Sequence, residues 1–171
     1  MTHVRIRPFK AVFPPTSDAP KVSSVPYDVV SREEAKQIAT GNEDSFMHVV
    51  RSEVDLPDDC SPYDPSVYKK ARSNYDTLLE TGALQQDKKS SLYLYRQCMG
   101  EHHQVGLVAC CHVADYKNNL IRKHEKTRQV KKNDRNNHVL DLRAKSGPRL
   151  LPYQSQNTND TRVKADTHNQ L

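Results

Sequence analysis

Asp64-Pro65-Ser66-Val67-Tyr68-Lys69-Lys70-Ala71-Arg72-Ser73-Asn74-Tyr75-Asp76-Thr77-Leu78-Leu79-Glu80-Thr81-Gly82 is the stretch whose reading decides the fold. Asp64 is a good N-cap and Pro65 suits the first helical position, where its missing N–H costs nothing. Tyr68, Ala71, Tyr75, Leu78 and Leu79 recur at spacings of three and four, which predicts one apolar helix face, and Gly82 supplies the stop. Tyrosines at that spacing serve packing rather than a cofactor platform.

Such a face needs an apolar partner. The next segment, Leu92 to Val113, reads as a β-hairpin turning near Met99 to His103, with Leu92, Leu94 and Cys98 on one side and Tyr93 and Tyr95 on the other. The helix is expected to lie on it. The fold class that follows is α+β: a mixed or antiparallel sheet with a central hairpin and two to four packed helices.

Upstream, Val4 to Phe13 alternates basic and apolar residues and predicts a strand closed by Pro14-Pro15. Ser31 and Glu34 predict a capping box at the start of a short helix, with Val30 and Ala35 as the staple and Gly41 as the left-handed stop. Phe46 to Val50 predicts a strand carrying His48. Between Glu53 and Asp64 five acids occur with no Lys or Arg, interrupted by Pro57 and Pro62, which predicts a solvated loop.

A chain of 171 residues suffices for one ordinary domain. Residues 1–153 read as a single α+β domain and 154–171 as a polar tail, expected to be disordered because it cannot bury enough apolar surface to offset ordering. The apolar fraction of 35% is below the usual ~45–50%. No apolar run approaches the ~18 residues of a membrane span and no secretory segment opens the chain, so a cytoplasmic protein without membrane partners is expected. Four cysteines without C-x-x-C spacing suggest neither zinc ribbon nor disulfide framework. Cys98 and Cys110 fall about 20 Å apart along the hairpin, and Cys110 and Cys111 point to opposite faces.

The charge is focused. Between Ile121 and Arg135 stand seven Lys or Arg and two acids, a local excess equal to the formal charge of +5 carried by the whole chain. If residues 124–128 are extended, His124, Lys126 and Arg128 share a face. Cations beside an imidazole suit a phosphate, which lysine and arginine bind through charge-assisted hydrogen bonds. A helix from Asn133 places Asp134, Arg135 and His138 where all three can meet over one turn, with Val139, Leu140 and Leu142 as a partial apolar face. A carboxylate beside an imidazole sets its tautomer and raises its basicity. His-Glu at 124–125 lacks the second histidine of a zinc protease, since Arg128 occupies that position, and no glycine-rich nucleotide motif is present.

Two functions of different class follow. In the first, an enzyme acts on a phosphorylated small metabolite by phosphoryl-transfer or phosphate-ester chemistry. Lys126, Arg128 and Arg135 hold the phosphate, His124 or His138 moves the proton, and Glu125 or Asp134 orients the histidine or holds a divalent metal. In the second, a non-catalytic module uses the basic segment to recognise an acidic partner or nucleic acid. A divalent metal or a nucleotide as cofactor stays open, as does the oligomeric state.

Val4-Arg5-Ile6-Arg7-Pro8-Phe9-Lys10-Ala11, Val25-Pro26-Tyr27-Asp28-Val29, Gly41-Asn42 with Ser45-Phe46-Met47-His48-Val49, Tyr95-Arg96-Gln97, Gly106-Leu107-Val108 and residues 123–128 together resemble the domain of unknown function 1015 family. The resemblance runs in order from about Val4 to Tyr153. It implies a cytosolic bacterial or archaeal protein roughly twice this length and an association with phosphorylated serine metabolism. It also draws attention to Tyr27 and Asp28 as supporting site residues. After Arg128 this chain departs from the family pattern, and it reads as the N-terminal part of a longer protein, cut or diverged near Tyr153.

Overall fold

The computed structural model describes residues 3–122 and 127–152. They form thirteen short elements: β1 (Ile6–Arg7), β2 (Val12–Phe13), α1 (Ala19–Val22), α2 (Arg32–Ala39), α3 (Met47–Val50), a 3-10 turn (Ser52–Asp55), α4 (Pro65–Glu80), β3 (Gln85–Gln86), β4 (Tyr93–Met99), β5 (His102–Val108), β6 (Cys110–Cys111), α5 (Val113–Lys117) and α6 (Gln129–Leu142). The class is α+β, and the sheets are three separate antiparallel pairs: β1 with β6, β2 with β3, and β4 with β5.

The chain divides into two compact units, each stitched from separated stretches. One comprises residues 1–11, 87–125 and 148–171; the other comprises residues 12–86 and 126–147. The helical unit, residues 12–86 and 126–147, holds every buried hydrophobic side chain among the described residues. Its larger cluster gathers Val22, Val49, Tyr75, Leu78, Ala83, Leu84 and Leu142, and a smaller one Ala35, Ala39, Met47 and Val54.

Local sequence signals account for the helix ends. The Ser31–Glu34 capping box forms on both sides, and Val30 packs against the cluster containing Ala35. Asp64 caps α4 by accepting from the Ser66 amide at 2.8 Å. Gly82 takes φ +82 just after α4, a left-handed conformation that costs glycine little. The predicted stripe Tyr68, Ala71, Tyr75 and Leu78 is buried, and Val67 joins it.

Its covering differs from the expected one. α4 is buried against α3, the 3-10 turn and α6 within the helical unit, to which the hairpin does not belong. Phe46 to Val50 is not a strand: Met47–Val50 is a single helical turn, and Met47 and Val49 are fully buried in different clusters. α6 starts at Gln129, four residues before the expected Asn133. Its buried positions are Asp134, His138 and Leu142, while Leu140 is 73% exposed, so the inward stripe is more polar than the apolar pattern suggests. The acid-rich loop is not simply solvated. Arg32 of α2 donates Nη1 to the carbonyls of Asp58 and Cys60 and Nη2 to those of Glu53, Leu56 and Pro57, so the loop wraps one guanidinium with backbone oxygens.

In the other unit, the stretch predicted as one strand from Val4 is broken at Pro8. Ile6 and Arg7 pair with Cys111 and Cys110, and Phe9 bridges Ser91. The stretch ends in the helical unit, where β2 pairs with β3. The hairpin turns at Gly100-Glu101, and Cys98 lies opposite His103. All four cysteines are free. The expectation of a disordered tail after Gln154 lies outside the described residues.

Candidate functional site

His124, Glu125 and Lys126 lie outside the described residues, so the site is built from the remainder of the basic segment. α6 brings Asp134, Arg135 and His138 onto one inward-facing side because they are spaced by one and four residues on a helix. Asp134 accepts from Arg135 through one oxygen, Oδ2, at 3.1 Å from Nε and 3.0 Å from Nη2. Its other oxygen, Oδ1, accepts from the Tyr68 hydroxyl at 3.1 Å. The Arg135 guanidinium carbon sits 4.1 Å from the centre of the Tyr27 ring, a cation–π stack.

Tyr27 is held in turn. Arg51 Nη1 donates to its carbonyl at 3.0 Å and to that of Val30 at 3.3 Å, and Arg51 also forms an ion pair with buried Glu53 at 2.7 Å. Asp28, its neighbour, is exposed. A continuous polar chain therefore runs Tyr68–Asp134–Arg135–Tyr27–Arg51–Glu53. Burial raises the Tyr68 hydroxyl's pKa, and the Asp134 carboxylate adds to it, which keeps the phenol protonated as donor.

His138 does not join Asp134. It is 3% exposed, its Nε2 donates to the Val49 carbonyl at 3.0 Å, and its buried Nδ1 has no partner among the described residues. Burial pulls its pKa below the ordinary histidine value, against the Val49 carbonyl, which favours the charged form. The placement is that of a neutral histidine inside the helical unit, tying α6 to α3.

What α6 exposes is its beginning. Arg128 is the N-cap residue and makes no side-chain cap, and the first turn contains no acid. Arg128, Lys131 and Lys132 are exposed around it. The first amides of a helix point outward without intrahelical acceptors and carry partial positive charge, so cations there oppose the dipole unless an anion joins them. Arg135, by contrast, already spends two donors on Asp134.

Sequence reading missed three polar centres. Tyr68 was read as packing alone, although a buried phenol requires a partner for its hydroxyl. His48 faces acceptors on both ring nitrogens, Asp55 Oδ1 at 2.8 Å and the Asn42 carbonyl at 3.2 Å, while Asn74 donates to Asp55 and to the His48 carbonyl. Arg5 reaches Asp115 with its backbone amide at 2.8 Å and its guanidinium at 2.5 Å, and its Nη2 lies 3.2 Å from His112 Nδ1. The Arg5 hydrogen bonds hold the Asp115 carboxyl below the usual carboxylate range. No sequence spacing links residues so far apart. Among the described residues no group of three or more His, Cys, Asp or Glu is placed to hold a metal ion, and no helix is long and apolar enough to cross a membrane.

The chain belongs to the family described as Protein of unknown function (DUF1015), whose model matches residues 6–170. The match continues past Tyr153 through the polar tail. No curated protein and no solved structure matches the chain.

Proposed function

We propose that this member of the DUF1015 family binds a phosphorylated small metabolite at the exposed start of α6, with Arg128, Lys131 and Lys132 as its cations and the first amides of the helix as hydrogen-bond donors. The observation that carries the reading is a fourteen-residue helix whose N-cap side chain makes no cap and whose first turn has no acid, with Arg128, Lys131 and Lys132 exposed around it. A phosphate monoester complements that end with negative charge and acceptor oxygens. Lys126, two residues before Arg128, belongs to the same charge run and is expected to contribute to phosphate binding.

Arg135 acts differently from the other cations. Held by Asp134 and stacked on Tyr27, it fixes the rotation of α6 rather than capturing the ligand. His138, sealed in the helical unit, has no route to a substrate proton, so phosphoryl-transfer or phosphate-ester chemistry, if the chain performs it, rests on His124 and Glu125. The reading places the protein in the cytosol, where phosphorylated metabolites such as phosphoserine are made.

Calorimetric titration with inorganic phosphate, O-phosphoserine, a nucleoside diphosphate and a short oligonucleotide tests the proposal. Arg128→Ala is expected to weaken a phosphorylated ligand by about 1.5–3 kcal/mol, the scale of a hydrogen bond to a charged group, while Lys88→Ala leaves binding unchanged. Binding of the oligonucleotide alone, with steep salt dependence and equal losses from any lysine or arginine, favours the non-catalytic module that recognises nucleic acid or another acidic partner.

A further inference from the structure

Cys98 and His103 stand opposite each other on the β4–β5 ladder, with His103 Nδ1 3.0 Å from Cys98 Sγ. The turn dictates that pairing. Gly100 takes φ +59 at the first turn position, and the two-residue connection Gly100-Glu101 sets Met99 against His102 and Cys98 against His103. Side chains alternate along a strand, so Arg96 shares the face of Cys98, two residues and roughly 7 Å away, whereas His102 projects from the other face. Arg96, Cys98 and His103 are all exposed, so none of them is engaged in a core.

Among the described residues no other cysteine has a histidine nitrogen within hydrogen-bond distance, although Cys110 stands opposite Arg7 on the β1–β6 pair. Cys60 is half-buried, with its Sγ 3.6 Å from the Ser61 carbonyl and 3.7 Å from Ser66 Oγ. Burial, then the neighbouring Cys110, pushes the Cys111 thiol's pKa up, which disfavours its reactive form. Cys110 adjoins it on β6, with its side chain on the opposite face.

We infer that Cys98 is the nucleophilic thiol of this chain, with His103 as its base, and that it is a site of reversible S-thiolation by small anionic disulfides, which Arg96 attracts. In the exchange, the Cys98 thiol proton passes to His103 Nδ1 as the sulfur attacks one sulfur of the disulfide. The Cys98–S bond to the incoming half forms, the original S–S bond breaks, and the departing thiolate takes the proton back from the imidazolium. The disulfide supplies the oxidising equivalents, and one thiol is released for each mixed disulfide formed.

The intact chain is exposed to substoichiometric oxidised glutathione, a dianion, or to cystamine, a dication, and the modified cysteine is located by peptide mapping over time. Cys98 is expected to be thiolated first, and faster by oxidised glutathione than by cystamine. His103→Gln, which keeps a polar side chain without the base, should slow the reaction about tenfold near pH 7. Arg96→Ala should erase the preference for the anionic disulfide, and His102→Ala should change neither rate. Primary modification at Cys60, Cys110 or Cys111, an unchanged rate in His103→Gln, or equal slowing in His102→Ala overturns the inference. Cystamine reacting as fast as oxidised glutathione overturns the choice of ligand charge.

Discussion

The helical unit and the hairpin unit are stabilised by different means. In the first, Tyr75, Leu78, Val49 and Leu142 exclude water from a shared cluster, and the buried Asp134 and His138 of the same unit have hydrogen-bond partners, the Tyr68 hydroxyl and the Val49 carbonyl. In the second, no hydrophobic side chain of the described residues is buried, and the one buried residue is Asp115, 1% exposed and gripped by Arg5. Hydrophobic burial is non-directional and adds up over many contacts, whereas a single ion pair and backbone ladders are directional and local. The same chain thus has one region with a core and another sewn by hydrogen bonds.

The largest effect separating the two should come from the core. Leu142→Ala is expected to cost about 2–5 kcal/mol in denaturant unfolding, because it removes a fully buried side chain and leaves a cavity. Leu107→Ala on the half-exposed hairpin should stay near or below about 1 kcal/mol. Equal losses at both positions would break the contrast.

His138 sharpens it through pH. Its folded pKa is lowered, so the unfolded chain binds the extra proton more readily, and the histidine contributes stability above its unfolded value of about 6.5 that is lost as pH falls through that value toward the lower folded one. Unfolding midpoints should therefore drop between about pH 7 and 5.5, and His138→Gln should flatten that slope. A slope unchanged by the substitution would place its origin elsewhere.

Asp115 addresses the hairpin unit alone. Asp115→Asn should speed amide exchange at Arg5, which donates to the carboxylate, and at His112, which donates to the Arg5 carbonyl, without altering exchange at Tyr75. Because Arg5 depresses the carboxyl's pKa, the contact persists at and above the ordinary carboxylate value near 4 and is lost as pH falls through the lower folded value. Faster exchange at Tyr75 as well would mean that the two units unfold together. The smallest effect is expected at Tyr27→Leu, which removes the stack on Arg135 and should cost about 0.5–1 kcal/mol by chemical denaturation.

Short-range features were legible in the sequence because their causes lie within a few residues. Asp64-Pro65 and Ser31 through Glu34 start helices by capping their own amides, Gly82 stops one by accepting a positive φ, and the hairpin turn expected near Met99 to His103 closes at Gly100-Glu101. The α4 stripe was readable from its period, and the charge focus near Arg128 from counting. The strand expected at Phe46 to Val50 failed for a physical reason: a short apolar run has the same composition in a buried strand and in one buried helical turn, and only its neighbours choose.

The candidate site divides along the same line. That residues 122–135 concentrate positive charge was settled by the sequence, as was the one-turn proximity of Asp134 and Arg135. Which cation remains available was settled only by tertiary structure, since the partners of Arg135 are Tyr27 and, through Asp134, Tyr68, both tens of residues distant. His138 was drawn away from Asp134 by the Val49 carbonyl, 89 positions earlier in the chain. Capping, periodicity and net charge are local properties that a chain carries before it folds; the partner of a buried polar group is decided by which segments arrive beside it, because desolvation penalises any arrangement that leaves it alone.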